Sequence, residues 1–396
     1  MAEAATAPQR LTQLKRAVFL FGLLVLSACS TVVPHSGPPV ERGPAVVAPP
    51  VAPPVMPGLP TDNEHHMVAL LVPLTGTNAG VGKSIANATQ LALLDTNNSS
   101  LRITTYDTAT GAAAAAQRAI DEGARVILGP LLAEDVRAVS PIAKRAGVPV
   151  ISFSNDSSLA GSGAYLMGYS PGQSIERVVD YAHDQGITTY GGLVANGLYG
   201  QRASTAFLRA VESAKGQVIS LQNYDHTSSS ITGATLRLGK AGSVGAVLVV
   251  DDGATAAGVI PLLRRNGEAS ARVLGTERWN TEASIAAKPA LNGAWFASVP
   301  DNLYRQYAVK YRARFGAAPY RLSSMGYDAV LLTIRIARDW RIGASFPEER
   351  LRDKDGFSGI DGAFRFNRDG IAERALEVQE IRGGTTVTIS PAPAGF

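Results

Sequence analysis

Apolar and polar positions alternate along the chain in two rhythms from Met67 onward. Short apolar runs with the character of buried strands occupy 67–73, 101–106, 124–129, 148–153, 164–169, 189–195, 217–224, 245–250, 271–275 and 294–298. Helix-length amphipathic stretches lie between them at 81–95, 111–122, 132–146, 173–185, 200–214, 254–266, 301–315 and 322–340. Alternating βα units whose strands are apolar on both faces predict parallel, doubly wound sheets. The strands are too many for one such sheet, so we predict two α/β lobes.

The pattern changes after residue 350. The segment FSGIDGAFRFNRDG (357–370) combines Gly and Asp with alternating aromatic residues, which predicts turns and a hairpin. The runs ALEVQEI (375–381) and TTVTI (385–389) predict two closing strands. Antiparallel structure is therefore expected after the long βα region.

The N-terminal segment 1–29 has the layout of a secretory signal peptide. A basic flank formed by Arg10, Lys15 and Arg16 precedes the apolar run AVFLFGLLVL (17–26). Ten apolar residues are too few to span a bilayer core of roughly 30 Å. The tetrapeptide that ends at Cys29 resembles a bacterial lipobox, and Cys29 is the only cysteine of the chain. We predict that Cys29 carries a lipid anchor; the alternative is an ordinary secretory signal with an incidental cysteine.

Residues 30–64 contain ten of the 23 prolines of the chain. Such a composition does not support helix or sheet ladders and predicts a semi-rigid tether, which reaches about 100 Å at roughly 3.1 Å per residue. A Pro-rich docking peptide is the other interpretation. The tether is favoured because the segment lacks a clear PxxP pattern beside basic residues.

The net charge argues against nucleic acid as a partner. The formal charge of the whole chain is +4, and the segment 1–29 accounts for part of it. The remaining chain is close to neutral, and the charge is spread along the chain.

The stretch LVPLTGTNAGVGKSIANA (71–88) resembles a phosphate-binding loop. Such loops have four residues between the first Gly and the Gly-Lys pair, because the backbone N–H groups must wrap around one phosphate. Here five residues separate Gly76 from Gly82, and Thr77 stands where positive φ disfavours a Cβ. The strand-plus-Asp segment GAVLVVDD (245–252) imitates a magnesium site, but the periplasm supplies no ATP. We therefore interpret 71–88 as a Gly-rich turn between a strand and a helix.

The motif Gly168–Gly172 matches the G-x-S-x-G nucleophile elbow of hydrolases. In that elbow the residue after the Ser donates its backbone N–H to the oxyanion. Pro171 has no N–H to donate, and neither His183 nor His226 follows a plausible acid in the required order. A strand that ends in a turn is the better interpretation.

No metal site is expected. Three histidines, His35, His65 and His66, lie in or beside the tether. His183 and His226 have no ligand partners at suitable spacing. The segment DKDGFSGIDG (353–362) lacks the spacing of an EF-hand and is expected to form turns.

An ordered set of segments resembles the type I periplasmic solute-binding proteins of the leucine/isoleucine/valine-binding kind. The segments are 68–93, 126–156, NGLYGQRAS (196–204), LGTERWN (274–280), SMGYDAVLL (324–332) and 357–370. The resemblance implies two lobes around a ligand cleft, with lobe I from 67–170 plus 300–341 and lobe II from 171–299 plus 355–396. It also implies three crossings between the lobes, near 169–172, 298–301 and 341–355.

The resemblance places ligand-binding residues in the loops at the cleft. Lobe I would contribute Thr75 and Thr77 from the first loop, Leu132 and Ala133 from the third, and Ser154, Asn155 and Asp156 from the fourth. Lobe II would contribute Tyr199, Asp252 and Glu277, of which Glu277 matches the carboxylate that pairs with a ligand ammonium.

Three departures weaken an amino-acid clamp. Leu132-Ala133 replaces a third-loop serine, and Val81 replaces a first-loop aromatic residue. Asp156 replaces a threonine donor, and its carboxylate would repel a ligand carboxylate unless a cation neutralised it. The alternative for Asp156 is a helix cap ahead of SSLAG.

Two functions remain open, both non-enzymatic and without a cofactor. In the first, the protein delivers an amino acid or small amide to an ABC permease. In the second, it resembles the penicillin-binding protein activators, lipoproteins that stimulate a peptidoglycan synthase by protein contact. Both place the chain in the periplasm, held to the membrane through its lipid anchor, and Ser30 after the cysteine favours the outer membrane.

Overall fold

The computed structural model describes residues 62, 64–282 and 284–396. The predicted signal peptide, Cys29 and almost all of the tether lie outside these residues. Among the helices of the described part, none has the length and apolar character needed to cross a membrane.

The described residues form strands and helices in the alternating order that the sequence predicts. The strands are β1 (His66–Val72), β2 (Leu101–Asp107), β3 (Val126–Leu128), β4 (Val150–Ser152), β5 (Ala164–Leu166), β6 (Thr189–Ala195), β7 (Gln217–Tyr224), β8 (Ala246–Val250), β9 (Arg272–Gly275), β10 (Trp295–Ser298), β11 (Phe357–Gly359), β12 (Gly362–Phe366), β13 (Ala372–Arg374), β14 (Glu377–Arg382) and β15 (Thr385–Ser390). The α-helices are α1 (Ala79–Thr96), α2 (Ala112–Asp121), α3 (Ala133–Ala146), α4 (Pro171–Asp184), α5 (Leu198–Ser213), α6 (Ser228–Ala241), α7 (Gly253–Arg265), α8 (Asn302–Phe315) and α9 (Ser324–Ala337).

Two sheets form the centres of two lobes. The sheet of lobe I has the strand order β2-β1-β3-β4-β5, and all of its pairs are parallel. The sheet of lobe II has the order β15-β14-β10-β9-β8-β6-β7; it is parallel from β10 to β7, and β14 and β15 add antiparallel strands at one edge. The predicted α/β class with parallel sheets is thereby confirmed.

Each central strand buries both of its faces, as expected for a sheet covered by helices on two sides. In β1, Val68 and Leu70 belong to one apolar cluster, and Ala69 and Leu71 belong to the cluster on the opposite face. The strand β8 of lobe II divides its residues between two clusters in the same way.

Helix ends follow local chemistry at several positions. Helix α3 has acidic residues in its first turn and basic residues in its last turn, which complements the helix dipole. It ends at Gly147, whose φ of 65° lies in the left-handed region that glycine tolerates. Helix α4 begins with Pro171, which suits the first helical position because no intrahelical partner is needed there.

The strands β11, β12 and β13 form a small antiparallel sheet that packs on lobe I. The side chains of Phe357, Phe364 and Phe366 are buried in the same core as β1. We predicted 355–396 as part of lobe II and the third crossing near 341–355; the structure instead keeps the chain on lobe I until Leu376. The physical reason is this aromatic hairpin, which needs the lobe I core for burial.

Candidate functional site

Loops from the two lobes meet at a cleft between them. In parallel sheets the loops after the carboxyl ends of the strands share one edge, where ligands bind in α/β proteins. Here a guanidinium nitrogen of Arg202, at the start of α5, lies 2.5 Å from Asp156, which follows β4. The amide of Asn280, which follows β9, donates a hydrogen bond to Asp301 at the second crossing (3.1 Å). The cleft is therefore bridged by side chains of the protein itself.

Asp156 caps a short helix, which is one of the two alternatives predicted for it. Its carboxylate caps the short 3-10 helix Ser157–Leu159 by accepting a hydrogen bond from the backbone N–H of Ser158 (2.9 Å). It also pairs with Arg137 at 3.0 Å and with Arg202 across the cleft. Burial opposes its charge, but the bonds from Ser158 and the two guanidinium groups outweigh burial and hold the pKa of Asp156 below its ordinary value. The carboxylate is thus neutralised by protein groups.

The other two predicted residues of the fourth loop, Ser154 and Asn155, differ in their exposure to solvent. The backbone N–H of Asp156 donates to the hydroxyl of Ser154 (3.2 Å), so that hydroxyl is already bonded within the loop. Ser154 is buried, whereas Asn155 is exposed. The loop stabilises itself before any ligand arrives.

The first loop is fixed by Asp107 at the end of β2. The hydroxyl of Thr75 donates to this carboxylate (2.7 Å), and so does the backbone N–H of Leu74 (2.8 Å). Thr77 is exposed. Gly82 packs so closely against the carbonyl oxygen of Pro73 that a side chain there would collide with it. The Gly-rich stretch therefore serves close packing of helix α1 on β1, as the turn interpretation implied.

The third loop presents no polar side chain at the predicted contact positions. Leu132 is the N-cap residue of α3 and makes no side-chain capping bond, and Ala133 is the first helical residue. Both are half-buried. A ligand at this loop would find backbone groups and apolar contacts.

Tyr199 and Glu277 of lobe II are joined by a hydrogen bond. The hydroxyl of Tyr199 donates to Oε1 of Glu277 (2.9 Å) and also lies 3.0 Å from the hydroxyl of Thr276. Within the described residues, Oε2 of Glu277 is buried without a hydrogen-bond partner. Burial raises the pKa of Glu277 to about 7. Glu277 can therefore hold or release a proton near neutral pH, or receive a donor from a ligand.

Asp252 is a helix cap in the structure. Its carboxylate accepts a hydrogen bond from the backbone N–H of Thr255 (2.8 Å) at the start of α7. Its neighbour Asp251 is more deeply buried and receives bonds from Tyr224 and His226, both at 2.8 Å. Sequence reasoning selected Asp252 and missed Asp251, although both follow the same apolar strand.

A small cavity lies between the lobes beside Glu277. Its lining includes Tyr169, Ser174, Asn280, Arg321 and Arg374. Its volume is about 10 Å³, which is enough for roughly one water molecule. Arg321 and Arg374 are buried and, within the described part of the chain, each has a guanidinium nitrogen without a hydrogen-bond partner. Charged and polar residues are among those that line the cavity, and it is too small in this conformation for an amino acid.

A buried ionic network lies next to this cavity, at the crossings. Arg321 pairs with Asp361 at 2.7 Å, and the hydroxyls of Tyr169 and Ser324 donate to the other oxygen of Asp361 at 2.6 and 2.8 Å. Asp328 accepts the backbone N–H of Asp361 (3.2 Å). Burial and the nearby Asp361 carboxylate raise the pKa of Asp328 above its ordinary range. The network ties the first crossing to α9 and the hairpin.

The structure therefore brings together part of the predicted set. Tyr199 bonds to Glu277, Ser154 bonds to Asp156, and Asp252 serves another role as a cap. Arg202, which completes the contact with Asp156, was missed. Its position could have indicated it, because Arg202 lies in the segment 196–204 that carries the family resemblance.

A comparison with known protein families identifies the family of this two-lobed chain. The family model for periplasmic binding proteins matches residues 67–385, and the chain belongs to that family. The resemblance drawn from the sequence is confirmed at this level.

Solved structures of the same fold fall into two kinds. One is a putative branched-chain amino acid ABC transporter from Rhodospirillum rubrum, with a TM-score of 0.75 and 20% identity over 82% of this chain and 100% of that one. Another is the C-domain of LpoA (YraM) from Haemophilus influenzae, a regulator of PBP1A, with a TM-score of 0.64 and 20% identity over 81% of this chain and 99% of that one. In full-length LpoA from the same organism, the TM-score is 0.65 at 20% identity, over 83% of this chain and 59% of LpoA. At such identities these similarities show the fold.

A curated relative is an uncharacterized protein of Rickettsia prowazekii (strain Madrid E). It is 27% identical over 139 residues, which make up 35% of this chain and 37% of the relative. The match thus spans little more than a third of the relative's length.

Proposed function

We propose that this chain is a lipid-anchored periplasmic binding module that regulates a peptidoglycan synthase by protein contact. The observation that carries the proposal is the state of the predicted ligand site: Arg202 pairs with Asp156 across the cleft, and the enclosed cavity beside Glu277 has a volume of about 10 Å³. A cavity of that size holds roughly one water molecule, so the enclosed space beside Glu277 offers no place for an amino acid in this conformation.

Two hydroxyls that an amino-acid clamp would use already take part in hydrogen bonds within the protein. Thr75 donates to Asp107, and the Ser154 hydroxyl accepts a hydrogen bond within its own loop. The Asp156 carboxylate occupies the loop where a ligand carboxylate would need donors, and Arg202 closes over it. A binding protein for a small zwitterion would have to break these contacts before it gained any from the ligand.

The structural neighbours support a protein-binding role for this fold. The LpoA C-domain from Haemophilus influenzae is described as a regulator of PBP1A and shares the two-lobe architecture. A tether of the length expected for residues 30–64 would let an anchored module search the space around the cell wall, since a linker sets the effective concentration of what it carries.

The proposal is tested with the full chain in detergent and a purified class A peptidoglycan synthase from the same bacterium. We expect the chain to bind the synthase and to increase its rate of glycan polymerisation. The control is a solute-binding protein of the same fold. Absence of both binding and activation would refute the proposal.

A second function, delivery of an amino acid or small amide to an ABC permease, is favoured by Glu277. Its Oε2 atom is buried and, among the described residues, unpartnered, as expected for an acceptor that awaits a ligand ammonium. The buried Trp279 lies two residues beyond it and would report closure on a ligand. A shift in Trp279 emission together with a rise in melting temperature on titration with amino acids, amides or muropeptides would support this function. The Glu277→Gln variant should lose that response.

We also propose that Cys29 carries the lipid anchor and that the anchor lies in the outer membrane. Cells grown with radiolabelled palmitate should label the unmodified chain and leave the Cys29→Ser variant unlabelled. Fractionation of the envelope then distinguishes the outer from the inner membrane.

A further inference from the structure

Helix α8 is attached to lobe I by one face. Tyr307 and Tyr311 are its buried residues, and the ring of Tyr311 packs against Phe315 with centroids 4.8 Å apart. Successive residues of an α-helix turn by about 100°, so Val309 and Ala313 point away from these tyrosines. The face opposite the tyrosines is therefore solvent-exposed along the helix.

Cations line both sides of this outer face. The same helical geometry places Arg305 and Arg312 along one side and Lys310 along the other, whereas Arg314 lies on the tyrosine side near the C-terminal end of the helix. All four residues are exposed. The chain has no Asp or Glu from residue 302 to 327. Helix α8 is thus a surface with four positive charges and no acid of its own.

Little of this charge is neutralised from outside the helix. Lys310 pairs with Asp95 of α1 at 2.9 Å, in a contact where 60% of the lysine side chain stays exposed. In the part of the chain that the structure describes, Arg312 and Arg314 have no carboxylate within ion-pair distance. Exposed cations without partners favour binding of a negatively charged surface.

Apolar side chains lie between these cations. Val309 is 71% exposed, and Ala313 is exposed one turn further along the same face. An apolar centre with a charged rim is the arrangement found at protein interfaces. Single exposed apolar residues are ordinary on a protein surface, so the informative feature is that Val309 and Ala313 lie between a row of two arginines and Lys310.

We propose that the outer face of α8 is the surface that contacts the peptidoglycan synthase, through an acidic patch with an apolar centre on that enzyme. The inference rests on the proposed function and names the contacting surface. A second copy of this chain would bring cations against cations. A membrane surface fits less well, because interfacial helices insert Trp, Phe or Leu side chains, and the centre of this face offers Val309 and Ala313.

The size of the surface sets the kind of contact. A helix of 14 residues is about 21 Å long, so α8 supplies only a part of the roughly 800 Å² that each partner buries in a standard interface. Charges at the rim of an interface mainly speed association and make it sensitive to salt. The contact through α8 is therefore salt-dependent.

Charge reversal in the full chain tests this surface. The variants are Arg305→Glu with Arg312→Glu, and separately Val309→Ser, which changes no charge. The matched control is Lys240→Glu with Arg265→Glu, two exposed cations on the helices of lobe II that, among the described residues, form no ion pair. Binding to the synthase is measured at several salt concentrations, and thermal melts verify that every variant folds.

We expect the α8 double variant to bind about tenfold more weakly and to show a shallower dependence on salt, with the control within about twofold of the unmodified chain. Val309→Ser should weaken binding and keep the salt dependence. If the unmodified chain binds and the α8 variants bind equally well, the surface is wrong and the proposed function stands. If the unmodified chain does not bind at all, both fail. Loss of binding to phosphatidylglycerol vesicles without loss of synthase binding, or self-association through α8 in sedimentation, would also overturn the assignment.

Discussion

Arg202 of lobe II and Asp156 of lobe I form an ion pair across the cleft, with nitrogen and oxygen 2.5 Å apart. The side chains are 24% and 5% exposed, so the pair is better shielded from water than an ordinary surface pair. A contact that exists only while the lobes are together stabilises the closed arrangement. Because its two residues come from separate lobes, this ion pair holds the lobes together.

Replacement of Arg202 by Ala should open the cleft. Asp156 would keep Arg137 as a partner but lose the contact from lobe II. We expect a larger radius of gyration in small-angle X-ray scattering and a loss of about 1–3 kcal/mol in the free energy of unfolding.

Arg137→Ala is the matched control for the ion pair between the lobes. It removes a cation from the same carboxylate, but Arg137 and Asp156 both belong to lobe I. This variant should lose some stability and keep the scattering profile of the unmodified protein. Equal profiles for all three proteins would mean that the ion pair does not hold the lobes together.

Glu277 should make stability depend on pH between about 4.5 and 7. Its pKa is raised by burial from 4.5 to about 7, so in this range the folded protein retains a proton that the unfolded chain has released. The free energy of unfolding therefore falls as pH rises, by at most about 1.4 kcal/mol per pH unit, and levels off above about pH 7.

The variant Glu277→Gln isolates this effect. Asp328, whose pKa is also raised, remains in both proteins, so the difference between their stability curves reports Glu277. Urea titrations from pH 5 to pH 8 should show a flatter curve for the variant. A difference that stays constant over this range would contradict the assignment.

The pattern of the sequence predicts the lobes better than it predicts the cleft. Apolar runs such as β1 and β8 report burial on both faces, because local composition directly reflects it. The sequence pattern also predicted the hairpin around Phe364, but it did not predict the lobe on which the hairpin packs. The pattern does not indicate which hydrophobic core an aromatic residue joins. Tyr199 and Glu277 were identified through family resemblance. The partner of Asp156 is distant in sequence and on another lobe, so spacing alone could not find Arg202.

Asp361→Asn should be among the most destabilising single changes at the crossings. Asp361 is fully buried and supports Arg321, Tyr169 and Ser324 together. Removal of its charge leaves the buried guanidinium of Arg321 with Asp301 at 3.4 Å as its remaining ionic partner among the described residues. We expect a loss of about 3–5 kcal/mol, measured by urea unfolding.

Asp339→Asn is the control for the buried network, because it breaks an ion pair of similar length on the surface. Asp339 pairs with Arg350 at 2.8 Å, and its side chain is 59% exposed. The expected loss is below about 1 kcal/mol. Comparable losses from the two variants would show that the network adds nothing beyond an ordinary ion pair.

Gly82→Ala decides what the Gly-rich stretch 71–88 is for. An alanine inside a helix is ordinarily favoured over glycine by about 0.5–1 kcal/mol, and Gly82 lies within α1. Its new Cβ would meet the carbonyl oxygen of Pro73, so we expect a loss of about 1–3 kcal/mol in the free energy of unfolding instead.

Gly258→Ala in α7 is the matched control, because a Cβ there meets no atom within 4 Å, and it should stabilise the protein. Lys83 is exposed, so Lys83→Ala should leave stability unchanged. Thermal melts of the three variants distinguish a glycine needed for packing from a glycine needed for ligand binding. If the stretch bound a phosphate, Gly82→Ala would leave the stability of the free protein unchanged. In that case the unmodified protein would be stabilised by an anion, and Lys83→Ala would lose this stabilisation.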